Sequence, residues 1–382
     1  MTDIRQLPLN DDRHLPQLGI GVWQIDDATT PGVVSTAVEL GVRLIDGAFI
    51  YGNEASMGEG IRQALVSRDA LFVTSKVWNA DQGYDSARAA IDGSLGRIGL
   101  DYLDLALIHW PCPARDQYVE TWRALIDARA AGKVRSIGVS NFNPDHLDRL
   151  IDETGVTPAV NQIEINPQFQ NAGVRAANDA RGVVSQAWTP LGNGKSFDAP
   201  AIREAAARSG KSPAQVILRW HVQLGHSVIP RSTKRDHLAS NLDVMDFELT
   251  GAEMAAIAAL EAGAPGGDLQ SWAESRYGRS WAQVEEGIRA RLEDNQRFQL
   301  CARAWSLQQG RVKLRGLATL DRELAEAWVR RVRNGASAAA LVESSLDPGP
   351  RGDGTWQGPK LPEKWPDGGL RRVWRQPVGG GY

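Results

Sequence analysis

Over residues 1–262, short apolar runs alternate with helix-length amphipathic stretches. Eight runs have strand length: LGIGVWQI from Leu18, RLIDGA from Arg43, FVTSKVW from Phe72, LDLALIHW from Leu103, VRSIGVSN from Val134, AVNQIEIN from Ala159, VVSQAWTP from Val183 and HSVIPRS from His226. They are apolar at nearly every position rather than at every second one. That is the pattern of strands covered on both faces, as in a parallel sheet. Between them lie segments with helical character, such as PGVVSTAVEL from Pro31, YDSARAAIDGSLGRIG from Tyr84 and SPAQVILRWHVQLG from Ser212. Pro31 and Pro213 stand where a first-turn proline is tolerated, and Ser212 is a predicted N-cap. Eight strand–helix repeats in about 250 residues predict an α/β fold of the (β/α)8 TIM barrel type rather than an open doubly wound sheet.

A barrel of this kind carries its chemistry at the C-terminal ends of its strands. Polar residues that interrupt the apolar runs fall there. Asp46 ends the second run, Lys76 the third and His109 the fourth, while Ser140 and Asn141 end the fifth. Gln162 lies in the sixth, Trp188 near the end of the seventh, and Arg231 with Ser232 after the eighth.

Asp46, Tyr51, Lys76 and His109 form a chemically coherent set. A carbonyl that accepts a hydride develops negative charge on oxygen and needs a proton donor there. Tyrosine, with an ordinary pKa of about 10, is a weak donor near neutrality. A neighbouring ammonium stabilises the phenolate and lowers that value, and a carboxylate holds the ammonium. A neutral histidine can orient the carbonyl oxygen. Singly, a buried histidine or an Asp–Lys pair is most often structural; joint placement at successive strand ends carries the reading.

These residues lie in motifs with a known counterpart. Asp46-Gly-Ala-Phe-Ile-Tyr51-Gly-Asn-Glu54, Thr74-Ser-Lys76-Val-Trp78, Leu107-Ile-His109-Trp110-Pro111, Ile137-Gly-Val-Ser140-Asn141-Phe142 and Val160-Asn-Gln162-Ile-Glu-Ile-Asn166 follow in that order. Pro190-Leu-Gly-Asn-Gly-Lys195, Ile229-Pro-Arg-Ser232 and Asn241-Leu-Asp-Val244 complete the series. Over roughly residues 2–262 the chain resembles the aldo-keto reductases, most closely the bacterial 2,5-diketo-D-gluconate reductase group. The resemblance implies NADPH-dependent reduction of aldehydes and ketones, including small or sugar-derived dicarbonyls, with NADPH held without a Rossmann domain. It implies Tyr51 as general acid, tuned by Lys76 and Asp46, with His109 orienting the carbonyl. Ser140, Asn141 and Gln162 match positions that hold the nicotinamide carboxamide, and Trp188 the aromatic stacked on its ring. Leu191, Lys195, Ser232 and Asn241 also match cofactor positions, Asn241 as the adenine partner.

Two departures bear on cofactor choice. Where the family usually has a Lys and, six positions later, an Arg to clasp the 2′-phosphate, this chain has Arg231 and His237. Arg231 keeps a permanent charge suited to phosphate. His237 loses a cationic contact worth about 1.5–3 kcal/mol when fully made, so NADPH is expected to be preferred and NADH tolerated. Ser240 also stands where a Glu is usual. Trp23, Phe49, Trp78, His109 and Trp110 are expected to line a substrate pocket for small to medium carbonyls.

Composition narrows the alternatives. At 42% hydrophobic and 23% charged the chain reads as a globular protein, with no apolar run long enough to span a bilayer. The N-terminus lacks a secretory pattern. The two cysteines, Cys112 and Cys301, have no ligand spacing, so neither a disulfide framework nor a metal site is expected, and a cytoplasmic monomer is. Gly194-Lys195-Ser196 is no phosphate loop, because Thr189 stands where the motif needs glycine; HExxH and Gly-x-Ser-x-Gly motifs are lacking too.

Residues 263–382 form an unassigned C-terminal extension. Residues 271–382 carry +6 and residues 1–270 carry −9. Amphipathic helices are predicted from Ser280 and from Ala318, with Asn334-Gly335 as a stop, and irregular chain from Asp347. A small helical partner-binding or regulatory module, a nucleic-acid contact and a non-native extension, such as a shifted reading frame or a joined sequence, are the readings left open. A diffuse +6 without a motif makes nucleic acid a poor partner. The rival to the enzyme is accordingly a non-catalytic barrel that senses NADPH and engages a partner through this extension.

Overall fold

The computed structural model describes residues 4–263, together with the backbone of Trp305–Gln308 and Arg311–Leu314. The chain divides into two units, Met1–Gly267 and Asp268–Tyr382.

In the first unit all eight predicted strands are present. They are β3 (Gly19–Gly21), β4 (Leu44–Asp46), β5 (Phe72–Val77), β6 (Leu103–Ile108), β7 (Val134–Ser140), β8 (Val160–Glu164), β9 (Val184–Trp188) and β10 (Ser227–Val228). They pair in parallel and in chain order. A parallel bridge from Leu18 to Val228 brings the first strand against the last, so the sheet is a (β/α)8 barrel. The continuous apolar runs find the burial they require: every residue of β5 and β6 is buried.

An antiparallel hairpin, β1 (Gln6–Pro8) with β2 (His14–Pro16), precedes the barrel. It was not evident in the sequence. Asn10 Nδ2 donates to the carbonyl of Pro158, which enters β8, so the hairpin lies across the N-terminal end of the strands. Leu9 and Leu15 join Leu44, Leu105, Leu107 and Val160 in an inner core, while a larger apolar cluster fills the layer between strands and helices.

The helices begin and end as local chemistry requires. Helix α1 (Thr30–Leu40) has Pro31 in its first turn and ends at Gly41, whose φ of 113° suits glycine. Helix α8 (Pro213–Gln223) is opened by Ser212, whose hydroxyl accepts from Gln215 N while Gln215 Oε1 accepts from Ser212 N, a reciprocal capping box. Helices α2 (Glu54–Gln63), α3 (Tyr84–Ile98), α4 (Tyr118–Ala130), α5 (Pro144–Thr154), α6 (Ala172–Ala180), α7 (Pro200–Ser209), α9 (Arg235–Leu242) and α10 (Gly251–Gly263) also surround the strands.

One row of the barrel is polar. Ser140, Gln162, Gln186 and Ser227 are register partners across β7–β10. Partnered positions of neighbouring parallel strands face the same way, so these side chains form a polar rung inside the barrel.

In the second unit the backbone of β11 (Trp305–Gln308) pairs antiparallel with β12 (Arg311–Leu314). The helices expected from Ser280 and Ala318, and the irregular chain from Asp347, lie outside the described residues.

The packing of α2 on α3 is tight enough to test. A Cβ on Gly58 would stand 1.9 Å from the carbonyl oxygen of Ile98, a backbone atom. Alanine favours a helix over glycine by about 1 kcal/mol, so Gly58→Ala stabilises if propensity wins and destabilises if packing wins. We expect a net loss of about 2 kcal/mol, read as a lower urea midpoint; an unchanged or raised midpoint would refute the close approach.

Candidate active site

Lys76 projects from β5 with its side chain fully shielded from solvent. A buried ammonium must place its donors, and Lys76 places three. Nζ lies 2.6 Å from Asp46 Oδ2 at the end of β4, 2.9 Å from Gly47 O and 3.3 Å from Tyr51 Oη. Tyr51 reaches this point from the single 3-10 turn Phe49–Tyr51 that follows β4. Because the ammonium donates to the phenol oxygen, the phenol hydrogen is left for another acceptor. Tyr51 lines the cavity described below, and its hydrogen is available there.

Burial raises the Tyr51 pKa, the Lys76 charge opposes the rise, and Asp46 adds to it. The net direction is upward, against the lowering expected from Lys76 alone, because desolvation is the larger effect. Burial likewise disfavours the charged form of Lys76, but Asp46 and Tyr51 outweigh it and its pKa is raised. Protonated phenol and charged ammonium are thus the neutral-pH states.

His109 follows β6, with its ring edge-on to Tyr51 at 5.8 Å and to Trp78 at 5.1 Å. Burial and then the Lys76 charge lower its pKa to about 3, so it is neutral. Its Nδ1 is buried and has no partner among the described residues. A lone pair is cheaper to leave unmatched than an N–H, which puts the proton on Nε2.

A cavity of about 740 Å³ opens over these groups. Of the expected site residues, Asp46, Tyr51, His109, Trp23, Trp78, Trp110, Ser140, Asn141, Gln162, Trp188, Leu191 and Arg231 line it. Lys76 stands behind Tyr51. Phe49, expected in the substrate wall, is not in the lining; its ring packs against the Arg97 guanidinium at 4.6 Å. Its neighbour Ile50 lines the cavity instead. Lys195, Ser232, His237 and Asn241 are also outside the lining: Lys195 and His237 are exposed, Asn241 is buried on α9, and Ser232 accepts from Lys234 N in a turn.

The carboxamide-matching residues are linked to one another. Asn141 Nδ2 donates to His109 O and Ser140 Oγ, Asn141 Oδ1 accepts from Trp188 Nε1, and Ser140 Oγ donates to Gln162 O. Asn141 and Thr189 hold positive φ values of 64° and 48°, uncommon for residues with a side chain.

A second buried array supports the cavity wall, and no motif announced it. Arg175 Nη1 lies 3.3 Å from His226 Nε2, His226 Nδ1 lies 3.1 Å from His221 Nδ1, and His221 Nε2 lies 3.1 Å from Pro190 O. Arginine only donates and a carbonyl only accepts, so every proton in the series has one arrangement: His226 protonated on Nδ1 and His221 on Nε2. Pro190 lines the cavity, and this relay holds its carbonyl. Among the described residues no group of three or more His, Cys, Asp or Glu is placed to hold a metal, and no helix is long and apolar enough to cross a membrane.

The aldo/keto reductase family model matches residues 16–262. An aldo-keto reductase of Mycolicibacterium smegmatis is 47% identical over 258 residues, covering 68% of this chain and 94% of that one. Among solved structures, an aldo/keto reductase from Brucella melitensis is 46% identical, with a TM-score of 0.66 over 67% of this chain and 99% of that one. A Gox0644 mutant in complex with NADPH is 42% identical, with a TM-score of 0.66 over 69% of this chain and 97% of that one.

Three buried histidines set a pH dependence. Burial lowers His109 and His221 from 6.5 to about 3, and His226 to about 2. The unfolded chain therefore binds more protons than the folded one below pH 6.5, and stability falls as pH drops from there toward 3. The expected loss is on the order of 5 kcal/mol by pH 5, seen in urea midpoints at pH 7 and pH 5. A flat profile over that interval, where carboxylates scarcely titrate, would contradict neutral burial of these rings.

Proposed function

The chain belongs to the aldo/keto reductase family, and on that premise we propose that it reduces aldehydes and ketones to alcohols with NADPH, Tyr51 supplying the proton. The observation that carries the assignment of the acid is the ammonium of Lys76 donating to Tyr51 Oη, which leaves the phenol hydrogen for a substrate. When bound, the reduced nicotinamide supplies the hydride to the carbonyl carbon. The carbonyl π pair then moves onto oxygen, which takes the Tyr51 proton. Lys76 holds the phenolate left behind, and Asp46 keeps Lys76 in place. His109 presents Nε2–H to the same oxygen and stays neutral throughout, in keeping with its low pKa.

The residues present fit the cofactor. The volume of about 740 Å³ lies within the range of small-molecule sites. Trp188 offers a ring face, and Ser140, Asn141 and Gln162 offer polar atoms at the same cavity. Arg231, exposed at the rim, is the one Lys or Arg among the lining residues and would meet the 2′-phosphate. His237 is exposed on α9 and is not among the cavity-lining residues, which supports NADPH preference with NADH tolerated. Trp23, Ile50, Trp78 and Trp110 make a mostly apolar wall, suited to small or medium carbonyls, dicarbonyls derived from sugars among them.

Turnover is followed by loss of reduced-nicotinamide absorbance with methylglyoxal, a diketo sugar acid and an aromatic aldehyde. Tyr51→Phe should lower kcat by about 10³-fold or more while NADPH binding stays within about twofold, since only the acid is removed. Full turnover by Tyr51→Phe would rule out Tyr51 as the acid, and absence of NADPH binding by the unmodified chain would rule out the cofactor. A separate comparison concerns Arg231→Ala. It should weaken NADPH by about tenfold and leave NADH unchanged, the loss of one charged hydrogen bond; equal weakening of both would place the 2′-phosphate elsewhere.

A further inference from the structure

A single NH2 group in the barrel serves two protein acceptors. Gln162 Nε2 lies 2.8 Å from Asp46 Oδ1 and 2.7 Å from Gln186 Oε1. Amide oxygen and nitrogen are alike in shape, so their assignment must follow from their partners. Here the partners leave one solution. Pro16 O only accepts, and Ser227 Oγ donates to it at 3.1 Å. Ser227 is then an acceptor for Gln186 Nε2, also at 3.1 Å, which turns Gln186 Oε1 toward Gln162. Asp46, paired with Lys76, only accepts as well. Both hydrogens of Gln162 are thereby consumed, and among the described residues none donates a hydrogen bond to its Oε1. Gln162 lines the cavity; Gln186 and Ser227 are fully buried and do not.

An amide held by one hydrogen bond can swivel about the donor–acceptor line. Two bonds from one NH2 to acceptors on different strands, β4 and β9, fix the plane of the amide and hence the direction of its oxygen. We propose that Gln186 is a positioning and specificity-determining residue that, with Asp46, holds Gln162 Oε1 toward the cavity as an acceptor, so that the site selects a nicotinamide ring whose 3-substituent donates an N–H over one that carries only a carbonyl there. The inference rests on the dinucleotide reading above. Gln186 acts through Gln162 and touches neither cofactor nor substrate. The selectivity follows from the cost of leaving a desolvated acceptor without a donor.

The test is calorimetric titration of the full chain with NADP+ and with its 3-acetylpyridine analogue, in which a methyl group replaces the carboxamide NH2. The unmodified chain should bind NADP+ about tenfold more tightly than the analogue. In Gln186→Met the ratio should shrink to about threefold or less, with thermal unfolding confirming a folded protein. A ratio unchanged by Gln186→Met overturns the proposal, as does an unmodified chain that binds both dinucleotides equally. Should Gln186→Met fail to fold, Ser227→Ala removes the group that orients Gln186. It should narrow the ratio too, and an unchanged ratio there counts equally against the proposal. An unmodified chain that binds neither dinucleotide overturns the cofactor reading itself, and the inference falls with it.

Discussion

The ammonium of Lys76 has no water to turn to, and the geometry around it follows from that. Its three acceptors come from Asp46, from the backbone at Gly47 and from the Tyr51 phenol. A buried ion pair is a poor means of stabilising a fold, because apolar residues of similar volume often do as well, whereas removing one partner costs about 3–5 kcal/mol. What the pair achieves here is orientation. With Asp46 Oδ2 and Gly47 O taking two hydrogens, the third can satisfy itself only on Tyr51 Oη, and that one contact decides which way the phenol proton faces. Asp46 is shared in turn, its other oxygen accepting from Gln162. The phenol of the proposed acid and the Gln162 amide are therefore both oriented through one carboxylate.

Neutral histidines extend the same logic. Where the ring of His109 borders the Lys76 charge, protonation would put two cations together in a desolvated place, and the ring stays uncharged. His221 and His226 are uncharged first because they are buried, with the Arg175 charge adding to the effect, and their ring nitrogens are committed, donor to acceptor, between Arg175 and Pro190 O. In both cases low dielectric turns a residue that usually titrates near neutrality into a fixed hydrogen-bonding group. The cavity is bordered by groups whose proton positions are determined before any ligand arrives, which is the sense in which such a site is preorganised.

Much of this was legible in the sequence, and the reasons are specific. Eight short runs, apolar at nearly every position and alternating with helix-length segments, read as strands buried on both faces, and the strand-end positions of Asp46, Lys76, His109 and Ser140 followed from the alternation alone. The roles expected of Trp188, Asn141 and Gln162 came from the family resemblance alone, because an aromatic or an amide on a buried strand has no signature of its own. Phe49 and Ile50 were exchanged because both stand beside Tyr51 in a tight turn, and which one faces the cavity depends on Arg97, contributed by α3 from far along the chain. The hairpin was missed for want of length, its strands being three residues each. Gln186 and the His221–His226 relay were invisible for a deeper reason. Their partners are between 5 and 51 residues away, and nothing in local spacing records a hydrogen bond made across the barrel.

For the role proposed for Tyr51, its raised pKa looks at first like an obstacle, since a weaker acid donates less readily. The difficulty lessens when the two states of the proton are considered together. Burial penalises the phenolate, which keeps Tyr51 protonated and ready in the resting protein. Lys76 stabilises the phenolate, and its attraction grows as the proton departs and charge collects on Oη. The carbonyl oxygen becomes a strong base only as the hydride reaches carbon, so the transfer is needed only when the acceptor can drive it. An acid lowered toward neutrality would be partly ionised at rest and unable to donate. A phenol held above its ordinary pKa, with a fully charged ammonium touching its oxygen, is protonated at rest and assisted at the moment of transfer, which is the combination that differential stabilisation of a transition state requires.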